Sequence, residues 1–209
     1  MRNKLMRYGT EQESFWAGKF GDDYIERNKD RERVISNVML FSKILAHTGP
    51  IKSAIEFGAN IGLNLLALRK LLPSIQLGAL EINSRAAKEL RSIEGVDVYE
   101  ESIFDFASSK SYDLAFTRGV LIHIAPKCLN IVYDKLFSCA NKYILVAEYY
   151  NPKPTEVTYR GHKGKLFKRD FAGEMLDRFN DLRLVDYGFV YHRDLFPQDD
   201  ITWFLMEKR

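Results

Sequence analysis

Short apolar runs alternate with helical stretches through the middle of the sequence, and this alternation restricts the fold more than any other feature. Strand-like runs are predicted at five places: Ser53–Phe57, Gln76–Glu81, Val96–Tyr99, Tyr112–Phe116 and Lys142–Ala147. Helices are predicted between most of them, over Gly62–Leu72, Ser84–Ile93 and Leu129–Ala140. Strands that alternate with helices at this spacing form crossover units, so we predict an α/β fold with a doubly wound, mostly parallel sheet.

The two ends of the chain depart from this pattern. Residues 1–48 are predicted to form an N-terminal helical cap segment and residues 49–209 the main domain. In the cap segment, Thr10 and Glu13 have the spacing of a capping box, the stretch 18–28 is expected to be a loop because it contains two glycines, and an amphipathic helix follows from about Asp30. Near the C-terminus, a short polar connection containing Pro197 joins two apolar runs, which predicts an antiparallel hairpin.

Composition and charge restrict the class of protein. The net charge of +3 is too small to indicate nucleic-acid binding by itself. Cys128 and Cys139 have neither the spacing of metal ligands nor that of a redox pair, so we expect reduced, buried thiols and no metal site. No apolar run reaches membrane-spanning length, and the first residues lack the apolar core of a signal peptide. We therefore expect a soluble, cytoplasmic protein.

The first strand leads into the sequence AIEFGANIGLNLLAL at residues 54–68, which is typical of a strand, a tight glycine turn and a helix. A dinucleotide fingerprint would need glycines at positions 58, 60 and 63, but the chain has Gly58, Asn60 and Leu63. No Gly-Lys-Ser/Thr follows, which argues against a phosphate-binding P-loop. A tight turn that binds no ligand stays open as the structural alternative.

The arrangement of Glu56, Gly58 and Gly62 resembles the first motif of class I S-adenosylmethionine-dependent methyltransferases. The resemblance implies a Rossmann-like methyltransferase sheet and S-adenosyl-L-methionine as cofactor. An acid at a strand end can attract the positive charge of that cofactor. Because the cofactor has no phosphate, the site does not need a bare helix N-terminus. The candidate cofactor-binding residues of this turn are Glu56, Gly58, Ala59, Asn60 and Gly62.

Later strand ends extend the resemblance. Glu81 ends the second strand, where an acid can accept hydrogen bonds from both ribose hydroxyls. In this class of methyltransferase, groups after the third strand bind the adenine edge, and Thr117 to Gly119 resemble the fourth motif. Trp16 and Phe20 belong to a segment expected to close over the cofactor, with simple packing of that segment as the alternative. The further cofactor candidates are Trp16, Phe20, Glu81, Ile82, Ser102, Ile103, Thr117, Arg118 and Gly119.

Nearly the whole chain resembles a narrower family, the methylases associated with pseudaminic acid biosynthesis in bacterial surface-glycan gene clusters. The segments that carry this resemblance are TEQESFWAGKFGDDYIERN, EFGANIGLNLLAL, FTRGVLIHI, AEYYNPKPTEVTYRGHKGKLFKRDFAGE and YGFVYHRDLFPQDDITWF. The resemblance implies methyl transfer to a nonulosonic sugar, or to its precursor or nucleotide-sugar. The acceptor would then be a small polar molecule, and the chain leaves oxygen or nitrogen open as the methylated atom.

Residues 149–169 are expected to form an irregular insertion after the fifth strand, and a connection of this length is usually functional. Between Tyr150 and Arg169 it is rich in basic residues, with Glu156 as its one acid. Arg160 or Arg169 could hold a carboxylate or phosphate in a bidentate manner. A solvated basic loop and RNA binding are the alternatives, although the rest of the chain does not extend the basic patch. The candidate substrate-binding residues are Tyr149, Tyr150, Asn151, Tyr159, Arg160, Lys168 and Arg169.

Methyl transfer needs a positioned acceptor and help with its deprotonation. His123 is the first candidate base, followed by His162 and Glu148. A histidine between apolar residues is equally compatible with a core role. Three hypotheses result: a small-molecule methyltransferase, an RNA or protein methyltransferase, and a non-catalytic module that binds the cofactor. The sequence does not indicate an oligomeric state.

Overall fold

The secondary structure follows the predicted alternation. The computed structural model describes residues 8–30 and 32–209. Its α-helices are α1 Glu11–Ala17, α2 Lys19–Arg27, α3 Arg33–Leu45, α4 Leu63–Leu71, α5 Ser84–Leu90, α6 Leu129–Cys139 and α7 Phe171–Arg178. Its strands are β1 Ser53–Phe57, β2 Gln76–Leu80, β3 Val96–Tyr99, β4 Tyr112–Arg118, β5 Ala140–Glu148, β6 Thr155–Tyr159, β7 His162–Lys168, β8 Leu182–Val190 and β9 Ile201–Lys208. Two short 3₁₀ helices, Leu121–His123 and Pro126–Cys128, follow β4.

The main sheet has seven strands in the order β3-β2-β1-β4-β5-β9-β8. Strands β1 to β5 pair in parallel, and β9 pairs antiparallel with both β5 and β8. This confirms the predicted α/β fold and the antiparallel C-terminal hairpin. The chain crosses from one side of β1 to the other between β3 and β4. Ligands of open α/β sheets bind where the strand order reverses in this way, at the carboxyl ends of β1 and β4.

The core has two halves, one on each face of the sheet. Helices α3 and α4 cover one face with Leu40, Phe41 and Leu65, while α6 and α7 cover the other with Tyr133 and Met175. The central strands are apolar on both faces, as expected for parallel strands buried between two layers of helices. Within residues 8–30 and 32–209, no helix is both long and apolar enough to cross a membrane.

The stretch 18–28 is mostly helical, so the prediction of a loop was wrong. Helix α2 occupies Lys19–Arg27, with Gly18 between it and α1. Gly21 lies inside α2, where a Cβ would sit 1.9 Å from the carbonyl oxygen of Trp16. This glycine therefore allows α1 and α2 to pack tightly, and its presence in the sequence does not indicate a loop.

The insertion at 149–169 is also more regular than predicted. Strands β6 and β7 form a separate antiparallel hairpin, closed by a two-residue turn of Arg160 and Gly161. Both turn residues have positive φ, 48° and 84°, as in the tight turns that suit the twist of a hairpin. The many basic residues obscured the strand pattern of the sequence. Helix α7, which follows this hairpin, was not predicted either.

The two cysteines are free thiols. Cys139 is buried as expected, whereas Cys128 is partly exposed at the end of a 3₁₀ helix.

Candidate functional site

The turn after β1 is built from residues that tolerate left-handed backbone geometry. Gly58, Asn60 and Gly62 have φ values of 74°, 48° and 80°. A Cβ on Gly58 would lie 2.6 Å from the Cγ2 atom of Val120 in the turn after β4. Glycine is therefore required at position 58 both for its φ and for the close contact between these two turns. Asparagine is the residue other than glycine that most readily adopts the geometry found at position 60.

A cavity opens at this edge of the sheet and brings together most of the predicted cofactor residues. Those in its wall are Trp16, Glu56, Gly58, Ala59, Asn60, Glu81, Ile82, Ser102, Ile103, Arg118 and Gly119. The other three predicted cofactor residues, Phe20, Gly62 and Thr117, lie outside the wall. Gly62 instead is the N-cap residue of α4, and a Cβ on it would lie 2.6 Å from Ile93 Cδ1. Thr117 is fully buried within β4.

Glu56 presents a buried carboxyl group to the cavity. Its side chain is 1% exposed, and Oε1 accepts a hydrogen bond of 2.5 Å from Asn64 Nδ2. Oε2 has no hydrogen-bond partner within residues 8–30 and 32–209. Burial raises the pKa of Glu56 to about 8, although the hydrogen bond from Asn64 and the charge of Arg118 oppose the rise. The protonated form therefore predominates at neutral pH in the ligand-free protein, and a cation in the cavity would favour ionisation.

The raised pKa of Glu56 predicts a pH-dependent stability of the ligand-free protein. A group whose folded pKa, about 8, exceeds its ordinary value of 4.5 binds more protons when folded, so stability falls as pH rises through this window. The contribution of Glu56 should approach about 1.4 kcal/mol per pH unit at pH 7 and fall to about half of that at pH 8. Glu148, whose pKa burial raises to about 7, adds a smaller slope of the same sign. Urea unfolding at a series of pH values measures the slope.

The matched variant for this experiment is Glu56→Gln, which keeps the shape of the side chain but cannot titrate. We expect a clearly flatter profile for the variant above neutral pH. Parallel profiles for the variant and the natural chain would show that Glu56 does not titrate in this range.

Glu81 lies at the end of β2 and connects two loops. Its Oε2 accepts from the backbone N–H of Asn60 at 2.8 Å, and its Oε1 accepts from the backbone N–H of Asn83 at 2.8 Å. Burial raises its pKa, while the backbone hydrogen bonds oppose the rise. Each carboxylate oxygen has a second lone pair, so the group can still accept hydrogen bonds from a ligand in the cavity.

Helices α1 and α2 cover the cavity and are fastened to its rim. Glu13 of α1 accepts a 2.5 Å hydrogen bond from Ser102 Oγ in the loop after β3. Asn83 donates through Nδ2 to the Trp16 carbonyl at 3.2 Å and to Asp22 at 2.9 Å. Gln12 donates to the Gly164 carbonyl on the β6–β7 hairpin at 2.9 Å. The N-terminal helices, the loop after β2 and the hairpin thus enclose one space.

His123 lines the cavity from the turn after β4. Its Nδ1 lies 2.5 Å from the carbonyl oxygen of Lys165, which can only accept, so Nδ1 carries the proton and Nε2 is left as an acceptor. Burial lowers the pKa of His123 to about 4, so the ring is neutral at physiological pH. The rings of Trp16 and Tyr159 pack against it at centroid distances of 4.5 Å and 4.9 Å. A neutral imidazole with a free Nε2 can accept a proton from a molecule in the cavity.

The other two predicted bases occupy different surroundings. Glu148 is 2% exposed and lies behind the turn that carries His123, outside the cavity wall. His162 is exposed on β7 and packs against Phe15, with a distance of 5.0 Å between ring centroids. Of the three, His123 alone lines the cavity.

The seven predicted substrate residues lie outside the cavity wall, and several already have partners. Tyr159 packs on the rings of His123 and Trp16. Arg169 Nε donates to Glu174 at 2.7 Å, and Lys168 lies over the ring of Tyr149. Asn151 donates to Lys153 and Thr155 within its own loop. Arg160, at the exposed tip of the hairpin, and Tyr150, 40% exposed beside β9, complete the set.

Several residues of the cavity wall were not predicted. Tyr24, Arg33, Asn37 and Asp199 line the end of the cavity near Arg118. Burial raises the pKa of Tyr24, which interacts with the charges of Arg118, Asp199 and Arg33. Asn37 could have been found, because it is a polar residue on the apolar face of α3 and is 2% exposed. Asp199 carries no such signal, since it lies in an irregular connection before β9.

Comparisons with known proteins address the fold. No family model matches the sequence, and no curated protein matches it. Among solved structures, a magnesium protoporphyrin IX methyltransferase from Synechocystis with bound S-adenosylhomocysteine has a TM-score of 0.68 at 13% identity, over 94% of this chain and 97% of that one. A didemethyltoxoflavin N1-methyltransferase from Burkholderia thailandensis has a TM-score of 0.69 at 12% identity, over 94% and 86%. A glycopeptide N-methyltransferase complexed with S-adenosylmethionine has a TM-score of 0.65 at 11% identity, over 83% and 94%. The chain therefore has the fold of S-adenosylmethionine-dependent methyltransferases.

Proposed function

We propose that this protein is an enzyme that transfers a methyl group from S-adenosylmethionine to a small, polar acceptor. The observation that carries the proposal is the buried, unpartnered Oε2 of Glu56 at the end of β1, in a cavity that Glu81 lines at the end of β2. A buried polar atom without a hydrogen-bond partner costs stability unless a ligand supplies that partner. Solved structures of the same fold that hold S-adenosylmethionine or S-adenosylhomocysteine support the choice of cofactor.

The residues of the cavity suit the parts of this cofactor. Glu56 would accept a hydrogen bond from the ammonium group of the cofactor, and the positive charge of Arg118 would attract the carboxylate group of the cofactor. Glu81 would accept from the ribose hydroxyls. The loop of Ser102 and Ile103 would meet the adenine. When bound, S-adenosylmethionine supplies a methyl carbon activated by its sulfonium.

His123 would act as the general base. Its Nε2 is unprotonated, because the ring proton is on Nδ1 and is donated to the Lys165 carbonyl. Removing a proton from the acceptor hydroxyl or amine increases the nucleophilicity of that atom. The aromatic rings of Trp16 and Tyr159 would hold the acceptor side of the cavity free of water.

For the acceptor, we propose an anionic sugar of the nonulosonic type, its precursor or its nucleotide-sugar. The support is the sequence resemblance to the pseudaminic acid methylases, together with two guanidinium groups of the cavity wall, Arg33 and Arg118. Asp199 is the acid that interacts with Tyr24 beside them. The basic β6–β7 hairpin flanks the His123 side of the cavity and adds positive charge there.

Calorimetric titration of the ligand-free protein with S-adenosylmethionine and S-adenosylhomocysteine tests the cofactor. Because Glu56 is mostly protonated before binding and would be ionised after it, binding at neutral pH should release about one proton. Titrations in buffers of different ionisation enthalpy measure that number, and Glu56→Gln should reduce it to near zero. If neither compound binds, the cofactor assignment is refuted.

Mass spectrometry tests the acceptor. Sugar intermediates, nucleotide-sugars and RNA are incubated separately with protein and cofactor, and each is examined for the gain of one methylene in mass. Methylation of a nonulosonic compound alone is the expected result. Methylation of RNA would replace the acceptor proposal, and cofactor binding without any methylated product would favour a non-catalytic binding module.

A further inference from the structure

Glu148, the last residue of β5, has both carboxylate oxygens directed at the turn after β4. Oε1 accepts from the backbone N–H groups of Val120 at 3.0 Å and Leu121 at 3.1 Å. Oε2 accepts from the N–H of Ile122 at 3.4 Å. The side chain of Glu148 is 2% exposed, so its carboxylate accepts these hydrogen bonds in the protein interior. A buried carboxylate that satisfies three consecutive N–H groups fixes the path of the backbone through them.

The same turn is held from its beginning by the neighbouring residue of β5. The N–H of Gly119 donates to the Ala147 carbonyl at 3.0 Å. Four consecutive N–H groups, from Gly119 to Ile122, are thus held by Ala147 and Glu148. The N–H of His123 is the first to bond within the turn itself, to the Val120 carbonyl at 2.9 Å. The end of β5 therefore sets where the Cα of His123 lies.

The ring of His123 is fixed separately, by the Lys165 carbonyl of the β6–β7 hairpin at 2.5 Å from Nδ1. Backbone and ring are thus held by two independent elements. Val120, which Glu148 holds directly, also packs against the Gly58 turn, where a Cβ on Gly58 would collide with it. A shift of this turn would move His123 relative to the cofactor side of the cavity.

We propose that Glu148 is a positioning residue, whose carboxylate holds the turn 119–122 so that the imidazole of His123 faces the cavity. The inference rests on the proposed function in that His123 is taken as the base. Glu148 does not itself contact the reacting groups, because it lies behind the turn and both oxygens are engaged. A glutamine at position 148 could not hold the turn in the same way. Its single oxygen cannot replace both carboxylate oxygens, and its NH₂ group would point at a backbone N–H donor.

The charged and titratable groups around Glu148 are few among the described residues. Tyr133 of α6 is the titratable group that interacts with it, and the Tyr133 hydroxyl donates to Glu174 of α7, which pairs with Arg169. Its partner on β9 is the uncharged Thr202, and on the turn the nearest titratable residue is His123. Burial raises the pKa of Glu148 to about 7, against the effect of the backbone hydrogen bonds. Protonation as pH falls through 7 removes an acceptor and should loosen the turn.

Histidine NMR of the ligand-free protein tests this without requiring activity. Because burial lowers the pKa of His123 to about 4, the titration of its own ring does not shift its signals near neutral pH. We expect the ring signals of His123 to shift with a midpoint near pH 7, caused by Glu148, while the Nδ1–H tautomer persists. Glu56 also lines the cavity and has a pKa of about 8, so Glu56→Gln should keep the inflection near pH 7. In Glu148→Gln this inflection should disappear. The control Glu89→Gln, which replaces an exposed carboxylate on α5, should retain it.

Kinetics supply the second readout. Glu148→Gln should lower kcat by about 10-fold to about 100-fold, with a smaller loss of cofactor affinity because Val120 contacts the Gly58 turn, and the charge-conserving Glu148→Asp should recover part of the loss in kcat. An inflection near pH 7 that survives in Glu148→Gln, or its absence from the natural chain, would overturn the proposal. If no acceptor is ever methylated, the proposed function fails while the NMR result still decides the role of Glu148. If Glu148→Gln does not fold, the NMR titration of His123 is measured in Glu148→Asp. A displaced midpoint in Glu148→Asp supports the proposal, and an unchanged midpoint refutes it.

Discussion

Replacing His123 by asparagine should lower kcat by at least about 100-fold, while cofactor affinity changes little. The asparagine amide can still donate to the Lys165 carbonyl in place of Nδ1, so the link to the hairpin survives. It has no counterpart of Nε2, which we propose accepts the proton of the acceptor. Because the pKa of His123 is lowered to about 4, the base is already unprotonated at pH 5, and its own titration should not limit the rate above that pH. Initial rates at saturating cofactor measure the effect.

Two other histidines provide matched controls. His47 pairs with Asp186 at a partly exposed site away from the cavity, and His47→Asn should keep the natural kcat. His162 is exposed on β7 and packs on Phe15, so His162→Asn should change kcat only slightly. A full rate in His123→Asn, or an equal loss in His162→Asn, would assign the base elsewhere.

Replacing Glu81 by glutamine should weaken binding of S-adenosylmethionine by about 10-fold to about 100-fold, the expected effect of losing hydrogen bonds to a charged acceptor. The carboxylate currently accepts from the N–H groups of Asn60 and Asn83 and has lone pairs left for ribose hydroxyls. The glutamine amide must turn its NH₂ group toward one of these N–H donors. The substitution should therefore distort the glycine turn and remove hydrogen bonds to the ribose hydroxyls. Calorimetric titration gives the dissociation constants.

The control for Glu81→Gln is Glu89→Gln, on the exposed side of α5 in the same part of the chain. The control should bind the cofactor as the natural protein does. Unaltered affinity in Glu81→Gln would remove Glu81 from the binding site, even if the cofactor binds elsewhere in the cavity.

The central fold was predictable because local pattern and tertiary structure agree there. Strands β1 and β4 are apolar in sequence and buried on both faces in the structure. The residues after each strand could be placed together in advance, since parallel strands bring their carboxyl ends to one edge of the sheet. Glu56, Gly58, Glu81 and His123 do meet at that edge.

The outer elements were predicted less well because their structure depends on contacts distant in sequence. Helix α2 contains Gly21, which discourages a helix locally but allows the close approach to Trp16. The β6–β7 hairpin carries many charges that mask its alternation, and it is held to α1 through Gln12 and Gly164. Most basic residues proposed for the acceptor consequently lie on a regular hairpin beside the cavity and not in its wall.

The sequence by itself determined the α/β sheet, the C-terminal hairpin and the left-handed turn at Gly58, because each of these depends on local periodicity or on a residue with special backbone freedom. Only the tertiary structure decided what the titratable groups can do. Burial, which no short motif encodes, raises the pKa of Glu56 to about 8 and lowers that of His123 to about 4. Likewise, the two candidate bases His123 and Glu148 differ because the chain folds one into the cavity and the other behind the turn that carries it.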